Sequence, residues 1–315
     1  MPMKIGIVSN SKSCLALLFQ LNNFNRGGVS LYLGSTADPG VNKAEVMSFC
    51  YSNHIAIHVE EQKEELYQWQ QLFEPDIIFI TGYGNKIDTS NLKGVPRGVY
   101  NIHFGKLPEF RGPSPVFWQL KKGMPDLVLT IHELSDKFDG GPIVWEQKIK
   151  NEDYHSYNYV NQLFSELQVK AVVELLQQIG DRKTLNKIVQ DEGKAAYYKR
   201  PELANVMINW ELMDANEIIN LVKACNSWNN GAITLLNGFE LKIMDANIVA
   251  GKKAGQSGGT ITLSVNGFFV DCIKGAVISV NFFDFNQNFA PGRYAGFYGI
   301  KTGQKFTNNL DSIFK

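Results

Sequence analysis

Short, wholly apolar runs alternate with segments of helical spacing through the first half of the chain. Residues 3–9 and Val29 to Leu33 read as strands, and Leu15, Leu18, Phe19 and Phe24 are spaced for a helix between them. Residues 41–53 predict a second helix, Ile55 to Val59 a third strand, and 61–73 a charged amphipathic helix. Asp76 to Ile80 is a fourth strand, bounded by Pro75 and Gly82. Fully apolar strands alternating with helices imply a parallel sheet covered on both faces.

The pattern continues with a strand at Gly98 to His103, a short helix at Ser114 to Lys122, and strands at Leu127 to His132 and Ile143 to Ile149. Residues 156–179 form a long helix with Tyr157, Val160, Leu163, Phe164, Leu167, Ala171, Leu175 and Leu176 along one stripe. From Gly180 to Lys194 the chain turns polar and charged, and Tyr197 to Glu202 reads as connecting chain. A second unit starts near Asn209-Trp210, where Asp214 and Glu217 suit a helix start and Ile218, Leu221, Val222 and Cys225 share a face. Beyond Trp228 the period becomes two, with Phe239, Leu241 and Ile243 alternating against Glu240 and Lys242. Short strands at 260–265, 268–273 and 276–281, with turns at Gly255 to Gly259 and Asn266-Gly267, predict a small β-barrel. The tail after Phe285, rich in Gly, Asn and aromatics, gives no assignment. The expected architecture is α/β: a doubly wound, mostly parallel sheet over residues 1–185, a linker at 186–208, and a β-barrel domain at 209–315.

Composition fits two globular domains: 315 residues, 44% apolar and 20% charged. Lys+Arg and Asp+Glu balance at 31 each, a poor footprint for a protein living on nucleic acid. Cys14, Cys50, Cys225 and Cys272 are scattered, with no C-x-x-C and no His at metal-binding spacing, so buried thiols and no metal are expected. No apolar run reaches membrane-spanning length, and a cytoplasmic location with no membrane partner is the expectation. The first strand–helix turn, Ser9-Asn10-Ser11-Lys12-Ser13, carries no G-x-G-x-x-G and no G-K-[ST], so it caps the helix and offers no fingerprint for a nicotinamide or flavin dinucleotide or a nucleoside triphosphate.

Candidate chemistry gathers where strands end. Asn101 and His103, two apart on one strand, point to the same side and could place two donors on one developing negative charge. Asp139, in the turn Phe138-Asp139-Gly140-Gly141, could set the protonation of an imidazole or take a proton through water. No Ser or Cys nucleophile stands beside them, which favours direct transfer between two bound substrates. Taken singly, each of the three also suits a plain strand end or turn. His132 reads as structural; His54, His58 and His155 read as surface residues; Phe117 and Trp118 read as packing, with an aromatic at a site mouth able to stack on a substrate.

In combination these pieces resemble the folate-dependent formyltransferases: Asn101-Ile102-His103, Leu107-Pro108, Arg111-Gly112-Pro113-Ser114-Pro115, Thr130-Ile131-His132 and Asp139-Gly140-Gly141, in that order. Asn209-Trp210 and Ala224-Cys225-Asn226-Ser227-Trp228 are similar to the start of the C-terminal, OB-like barrel of the methionyl-tRNA enzymes and the two-domain sugar enzymes. The resemblance implies N10-formyltetrahydrofolate as donor and a primary amine as acceptor, with Asn101 and His103 stabilising the oxyanion and Asp139 assisting proton removal. It also implies a folate site walled by Tyr83, Gly84, Asn85 and Ile87 on one side and by Leu134, Lys137 and Asp139 on the other.

The acceptor is less defined. Methionyl-tRNA formyltransferases usually carry a basic insertion after the second strand, whereas Gly34 to Ala44 here holds only Lys43, beside Asp38. Their Ser-Leu-Leu-Pro signature is replaced by Gly105-Lys106-Leu107-Pro108. Lys106, Arg111, Lys121 and Lys122 form a modest basic group able to face the two phosphates of a nucleotide sugar, and Trp118 could lie against the acceptor. A small amine or amino-sugar nucleotide is therefore expected ahead of Met-tRNA. A formyl-folate hydrolase and a non-catalytic folate-binding module are the other readings, and the barrel could recruit the acceptor, form a homodimer or brace the catalytic domain.

Overall fold

The computed structural model describes residues 3–35, 43–62, 65–92, 94–225, 229–265 and 267–307. Most of the Gly34 to Ala44 segment, the Asn226-Ser227-Trp228 motif and Asn266 of an expected turn lie outside the described residues.

The first unit comprises residues 1–115, 126–149 and 161–199. Its sheet contains β1 (Ile5–Ser9), β2 (Val29–Leu33), β3 (Ala56–Val59), β4 (Ile77–Thr81), β5 (Val99–His103), β6 (Asp126–Glu133) and β7 (Ile143–Lys150). The order across the sheet is β3-β2-β1-β4-β5-β6-β7. The run β3-β2-β1-β4-β5 is parallel, and β6 then pairs antiparallel with β5. Every residue of β1, β2 and β4 is buried, the consequence of helices covering both sheet faces. The unit's helices are α1 (Leu15–Phe24), α2 (Lys43–Ser52) and α3 (Glu65–Phe73), while the short α4 (Pro115–Lys121) falls to the second unit apart from Pro115, and α5 (Tyr157–Gly180) belongs to the first unit from Asn161 onward. Within α3, Trp69 is buried, donates its indole N–H to Ser30 Oγ at 2.9 Å, and lies over Gly6, where a Cβ would come within 2.7 Å of its ring.

The second unit comprises 116–125, 150–160 and 200–315. The stretch expected as a linker thus divides: its residues to Lys199 cluster with the first unit, and those from Arg200 with the second. After the single turn α6 (Leu203–Val206), α7 (Ala215–Cys225) begins at a reciprocal cap in which Asp214 N–H donates to Glu217 Oε2 and Glu217 N–H to Asp214 Oδ1. The strands β8 (Ala232–Leu236), β9 (Phe239–Ile248), β10 (Ile261–Ser264), β11 (Gly267–Asp271), β12 (Val277–Phe285), β13 (Asn288–Pro291) and β14 (Phe306–Thr307) follow. The antiparallel path runs β10-β11-β12-β9-β8-β14, with β13 added to β12. Its ends meet: Ile261 N–H donates to Gln304 O and Phe306 N–H to Gly259 O, both at 2.9 Å. The unassigned tail is therefore, as far as Thr307, part of the barrel, supplying β13, the turn at Gly292–Tyr298 and β14. Trp210, Phe268, Phe283 and Phe306 fill the interior.

All four cysteines are free and buried. Burial pushes the Cys14 thiol up to about 12, where it is neither nucleophile nor ligand. His54 is exposed, as expected. His155 is not a surface residue: it is 4% exposed and accepts the Glu152 N–H at Nδ1. His58 is half-buried, stacked on Tyr32 with ring centres 5.4 Å apart and paired with Glu65.

Candidate active site

β5 presents Asn101 and His103 on one face because alternate strand residues point the same way. Its neighbour β6 runs antiparallel in a register that sets Asn101 opposite His132 and His103 opposite Thr130. Directly opposed residues share a face, so four polar side chains meet there. Asp139 arrives from the β6–β7 loop with φ at +50°, a left-handed conformation that Asp tolerates better than most residues.

The contacts are specific. Asn101 Nδ2 donates to Asp139 Oδ1 at 3.2 Å and lies 3.0 Å from His132 Nε2. His132 Nδ1 is 2.8 Å from the Glu133 carbonyl, which can only accept, so the proton sits on Nδ1 and Nε2 accepts from Asn101. Both Nδ2 hydrogens of Asn101 are thereby engaged. The second Asp139 oxygen accepts Gly112 N–H at 2.8 Å. By the same logic, His103 Nε2 donates to the Phe110 carbonyl at 2.7 Å, which turns Nδ1 toward Asp139 Oδ1 at 3.7 Å. Gly105 makes room for this ring: a Cβ there would stand 2.8 Å from Nε2 and 2.5 Å from Pro115 Cβ.

Electrostatics follow from burial. His103 is 6% exposed, and desolvation pulls its pKa below the ordinary imidazole value despite the opposing pull of Asp139. Burial works to raise Asp139, but His103, His132 and Gly112 N–H outweigh it and hold the carboxyl well below the usual carboxylate range. The site at neutral pH is therefore a buried carboxylate beside a neutral imidazole whose Nδ1 lone pair faces it.

A cleft of about 450 Å³, open-mouth volume included, begins at Asn101, His132 and Asp139. One wall is the β4–β5 loop with Tyr83, Asn85, Lys86 and Ile87, above Ile80; the other is Leu134 to Asp139. Of the residues expected against a folate, Tyr83, Asn85, Ile87, Leu134, Lys137 and Asp139 line this cleft. Gly84 lies between two lining residues without lining it. The mixed apolar and polar lining suits a flat heteroaromatic ligand with polar edges. Tyr83 is held by Glu60, whose Oε1 accepts its hydroxyl at 2.7 Å.

His132, which reads as structural in the sequence, also lines the cleft, as do Ile80, Lys86, Ser135, Asp136 and Phe138. The Thr130-Ile131-His132 piece was visible, but only the antiparallel register places His132 against Asn101. His103 lines no part of the cleft, and both ring nitrogens face protein groups. In this geometry it offers no N–H to an oxyanion.

Lys106 and Arg111, expected to bind the acceptor, do not line this cleft. Arg111 is 3% exposed and its guanidinium is taken up by Gln190 Oε1 and both Glu192 oxygens, so it is a buried tie and cannot hold a phosphate. Lys106 pairs with Glu109 at 2.6 Å. Trp118 is buried inside the second unit, edge-on to Phe117 at 5.0 Å, with Lys121 Nζ 5.4 Å from its ring centre. Among the described residues no group of three or more His, Cys, Asp or Glu is placed to hold a metal ion, and no helix is long and apolar enough to cross a membrane.

Comparison with known proteins identifies relatives for both units. A formyl transferase family profile matches residues 29–176, and a profile for the formyl transferase C-terminal domain matches 202–282. The methionyl-tRNA formyltransferase of Syntrophomonas wolfei is 26% identical over 219 residues, 70% of this chain and 68% of that protein. That of Nitrosomonas eutropha is 26% identical over 211 residues, 67% of this chain and 66% of that protein. Among solved structures, an N-formyltransferase from Helicobacter canadensis in complex with folinic acid and dTDP-3-aminofucose superposes with a TM-score of 0.69 at 17% identity, covering 88% of this chain and 98% of its own. HypX from Aquifex aeolicus with tetrahydrofolic acid superposes at 0.63 and 17% identity, covering 98% of this chain and 51% of its own.

Proposed function

The chain belongs to the formyltransferase family, and from that premise we propose that it moves a formyl group from N10-formyltetrahydrofolate to a primary amine. The observation carrying this is the meeting of Asn101, His132 and Asp139 in the lining of the cleft, with His103 beside Asp139. The donor's flat ring system occupies the cleft between the Tyr83 and Leu134 walls and brings its formyl carbon to Asn101.

The amine attacks that carbon, and its oxygen becomes an oxyanion. Asn101 is the donor for it, turning one Nδ2–H from Asp139 to the new charge. The attacking nitrogen must lose a proton and the departing folate nitrogen must gain one. Asp139, ionised and backed by the His103 Nδ1 lone pair, takes that proton through water, and the imidazolium–carboxylate pair holds it until the folate nitrogen leaves. His103 thus serves proton storage and not oxyanion binding. No covalent enzyme intermediate is needed.

For the acceptor we favour a small amine, an amino-sugar nucleotide first. The support is the near-complete superposition on an N-formyltransferase crystallised with such a compound, together with a single cation between Gly34 and Ala44. Arg111 no longer contributes to that case, because its charge is consumed internally. The second reading is Met-tRNA, favoured by the curated relatives that share sequence over about two thirds of the chain.

The test supplies purified protein with N10-formyltetrahydrofolate and, separately, nucleotide-linked amino sugars, Met-tRNA and no amine. Tetrahydrofolate release coupled to a formylated sugar nucleotide is the expected result. Salt-sensitive turnover confined to Met-tRNA overturns the acceptor, formate release without amine indicates hydrolysis, and no turnover with any of them overturns the reaction.

A further inference from the structure

We propose that Gln190 is a positioning residue for the reaction, acting through Asp139, and that residues 187–198 are a strap that builds the site; this rests on the proposed function for its kinetic consequence. The Gln190 side chain is 6% exposed and uses its whole hydrogen-bonding capacity on the two loops of the site. Its Nε2 donates to the carbonyls of Asp139 and Gly141, each at 2.7 Å. Its Oε1 accepts from Arg111 Nε at 3.1 Å and Nη2 at 2.6 Å. The residue after Arg111 is Gly112, whose N–H holds Asp139 Oδ2 at 2.8 Å. The result is a closed ring: Gln190 to the Asp139 backbone, the Asp139 carboxylate to Gly112, and Arg111 back to Gln190.

The rest of the strap repeats this stitching. Ile188 exchanges two backbone bonds of 2.8 Å with Ile143, at the far end of the Asp139 loop. Lys187 pairs with Glu133 at 2.6 Å, where that loop begins. Glu192 takes both Arg111 and Lys137 of the cleft wall, contacts that draw its carboxyl down to about 2. Further along, Ala196 N–H donates to Pro108 O, Arg111 N–H to Ala196 O, and Tyr198 N–H to Arg111 O. A segment that is polar and featureless in sequence is therefore bonded to both loops that carry the chemistry.

Gln190 is the joint because one NH₂ group satisfies two carbonyls flanking Gly140. Those two acceptors fix the turn that keeps Asp139 at its positive φ, the conformation an L-residue holds only when its surroundings impose it. Without them the carboxylate moves relative to Asn101 and His103, and a shift near 1 Å at a reacting group costs on the order of 10²-fold in rate.

The experiment compares Gln190→Glu and Gln190→Ala with the unaltered protein. Gln190→Glu keeps an acceptor for Arg111 but sets an oxygen against the Asp139 and Gly141 carbonyls. The proposal expects kcat to fall on the order of 10²-fold in both variants, with the KM for the folate changed much less. Amide hydrogen exchange supplies a readout independent of turnover: Gly140 and Gly141 exchange faster in both variants while β1, β4 and β5 stay protected. Gln190→Glu behaving like the unaltered protein in rate and exchange overturns the proposal, since the Arg111 contact alone then suffices. Loss of protection across the whole first unit in both variants also overturns it, making Gln190 a general stability tie. If the unaltered protein transfers formyl to no amine, the proposed function fails, and the exchange comparison still decides the brace.

Discussion

Asn101 and His132 face each other across the β5–β6 ladder with Nδ2 3.0 Å from Nε2, and that one contact fixes the state of both side chains. The Glu133 carbonyl holds the His132 proton on Nδ1, so Nε2 must accept, and Asn101 must present its NH₂ group and not its oxygen to Asp139. Replacing His132 by Leu removes the acceptor while keeping bulk. The expected result is a kcat loss on the order of 10-fold or more, because the Asn101 amide loses its reference, together with a stability loss of about 1–3 kcal/mol for the buried groups left unpaired. Asn101→Ala should cost more in rate, on the order of 10²–10³. Steady-state kinetics and urea unfolding check both, and a His132→Leu enzyme of undiminished kcat would refute the contact's role.

The pH dependence follows from His103. Its folded pKa lies below the ordinary value of 6.5 because burial disfavours the imidazolium more than Asp139 favours it. As pH falls below 6.5, the unfolded chain binds a proton that the folded chain excludes, so this group subtracts stability from there down to its folded pKa. Asp139 is depressed, so its stabilising contribution is present above its unfolded value of 3.8 and is lost only as pH falls below that. Activity needs neutral His103 and ionised Asp139, which places the acid limb of kcat/KM below 6.5. An acid limb at or above 6.5 contradicts the burial argument. In His103→Asn the stability decline just below pH 6.5 should become shallower.

Much of this site was legible in the sequence, and the reason is local. The strand ends, the Asn101-x-His103 spacing and the Asp139 turn are short-range features, and the fully apolar runs at β1, β2 and β4 announce two-sided burial. What escaped depends on pairing between distant segments. The direction of β6 decides whether His132 meets Asn101, and no local pattern encodes a strand's direction. Arg111 read as a free cation because Gln190 and Glu192, 79 and 81 residues away, are invisible from its surroundings. His155 read as surface for the same reason. The strap escaped because its order comes from hydrogen bonds to two loops and not from apolar periodicity.

Gly112 has a sharper requirement than its place in a glycine–proline loop suggests. Its φ is +113°, and a Cβ built there would stand 2.0 Å from the Tyr198 carbonyl oxygen, which is backbone and cannot yield cheaply. Gly112→Ala must displace the strap, tilt the N–H that holds Asp139, or both. The expected outcome is a destabilisation of about 2–4 kcal/mol, in the range of strained backbone plus overpacking, with kcat reduced at least 10-fold even where the protein is still folded. Thermal unfolding and turnover at a temperature well below the midpoint separate the two effects. An Ala variant of normal stability would show that the Tyr198 carbonyl does not close on Gly112.

Glu60 governs the cleft without touching it. It is 2% exposed and accepts hydroxyls from Tyr83 at 2.7 Å, Tyr32 at 3.0 Å and Ser35 at 2.8 Å. Burial works to raise its carboxyl, but these donors and the Ser35 N–H outweigh it and keep it below the ordinary 4.5. A buried carboxylate is retained here because three hydroxyls and an amide solvate it, and in return it fixes Tyr83 on the cleft wall. Glu60→Ala leaves several donors unpaired in the interior and should cost about 2–4 kcal/mol of stability, with reduced-folate affinity weakened on the order of 10-fold and kcat at saturating folate much less affected. Glu60→Gln keeps an acceptor for Tyr83, so most of the folate affinity should return. The carboxylate's stabilisation is present above pH 4.5 and lost as pH falls through the lower folded value. The stability gap between the unaltered protein and Glu60→Gln should therefore close as pH drops below 4.5. Calorimetric folate titrations with both variants, beside unfolding curves at pH 7 and pH 4, test this directly. Equal folate affinity in Glu60→Ala and the unaltered protein would mean that Tyr83 is held by its own packing and not by Glu60.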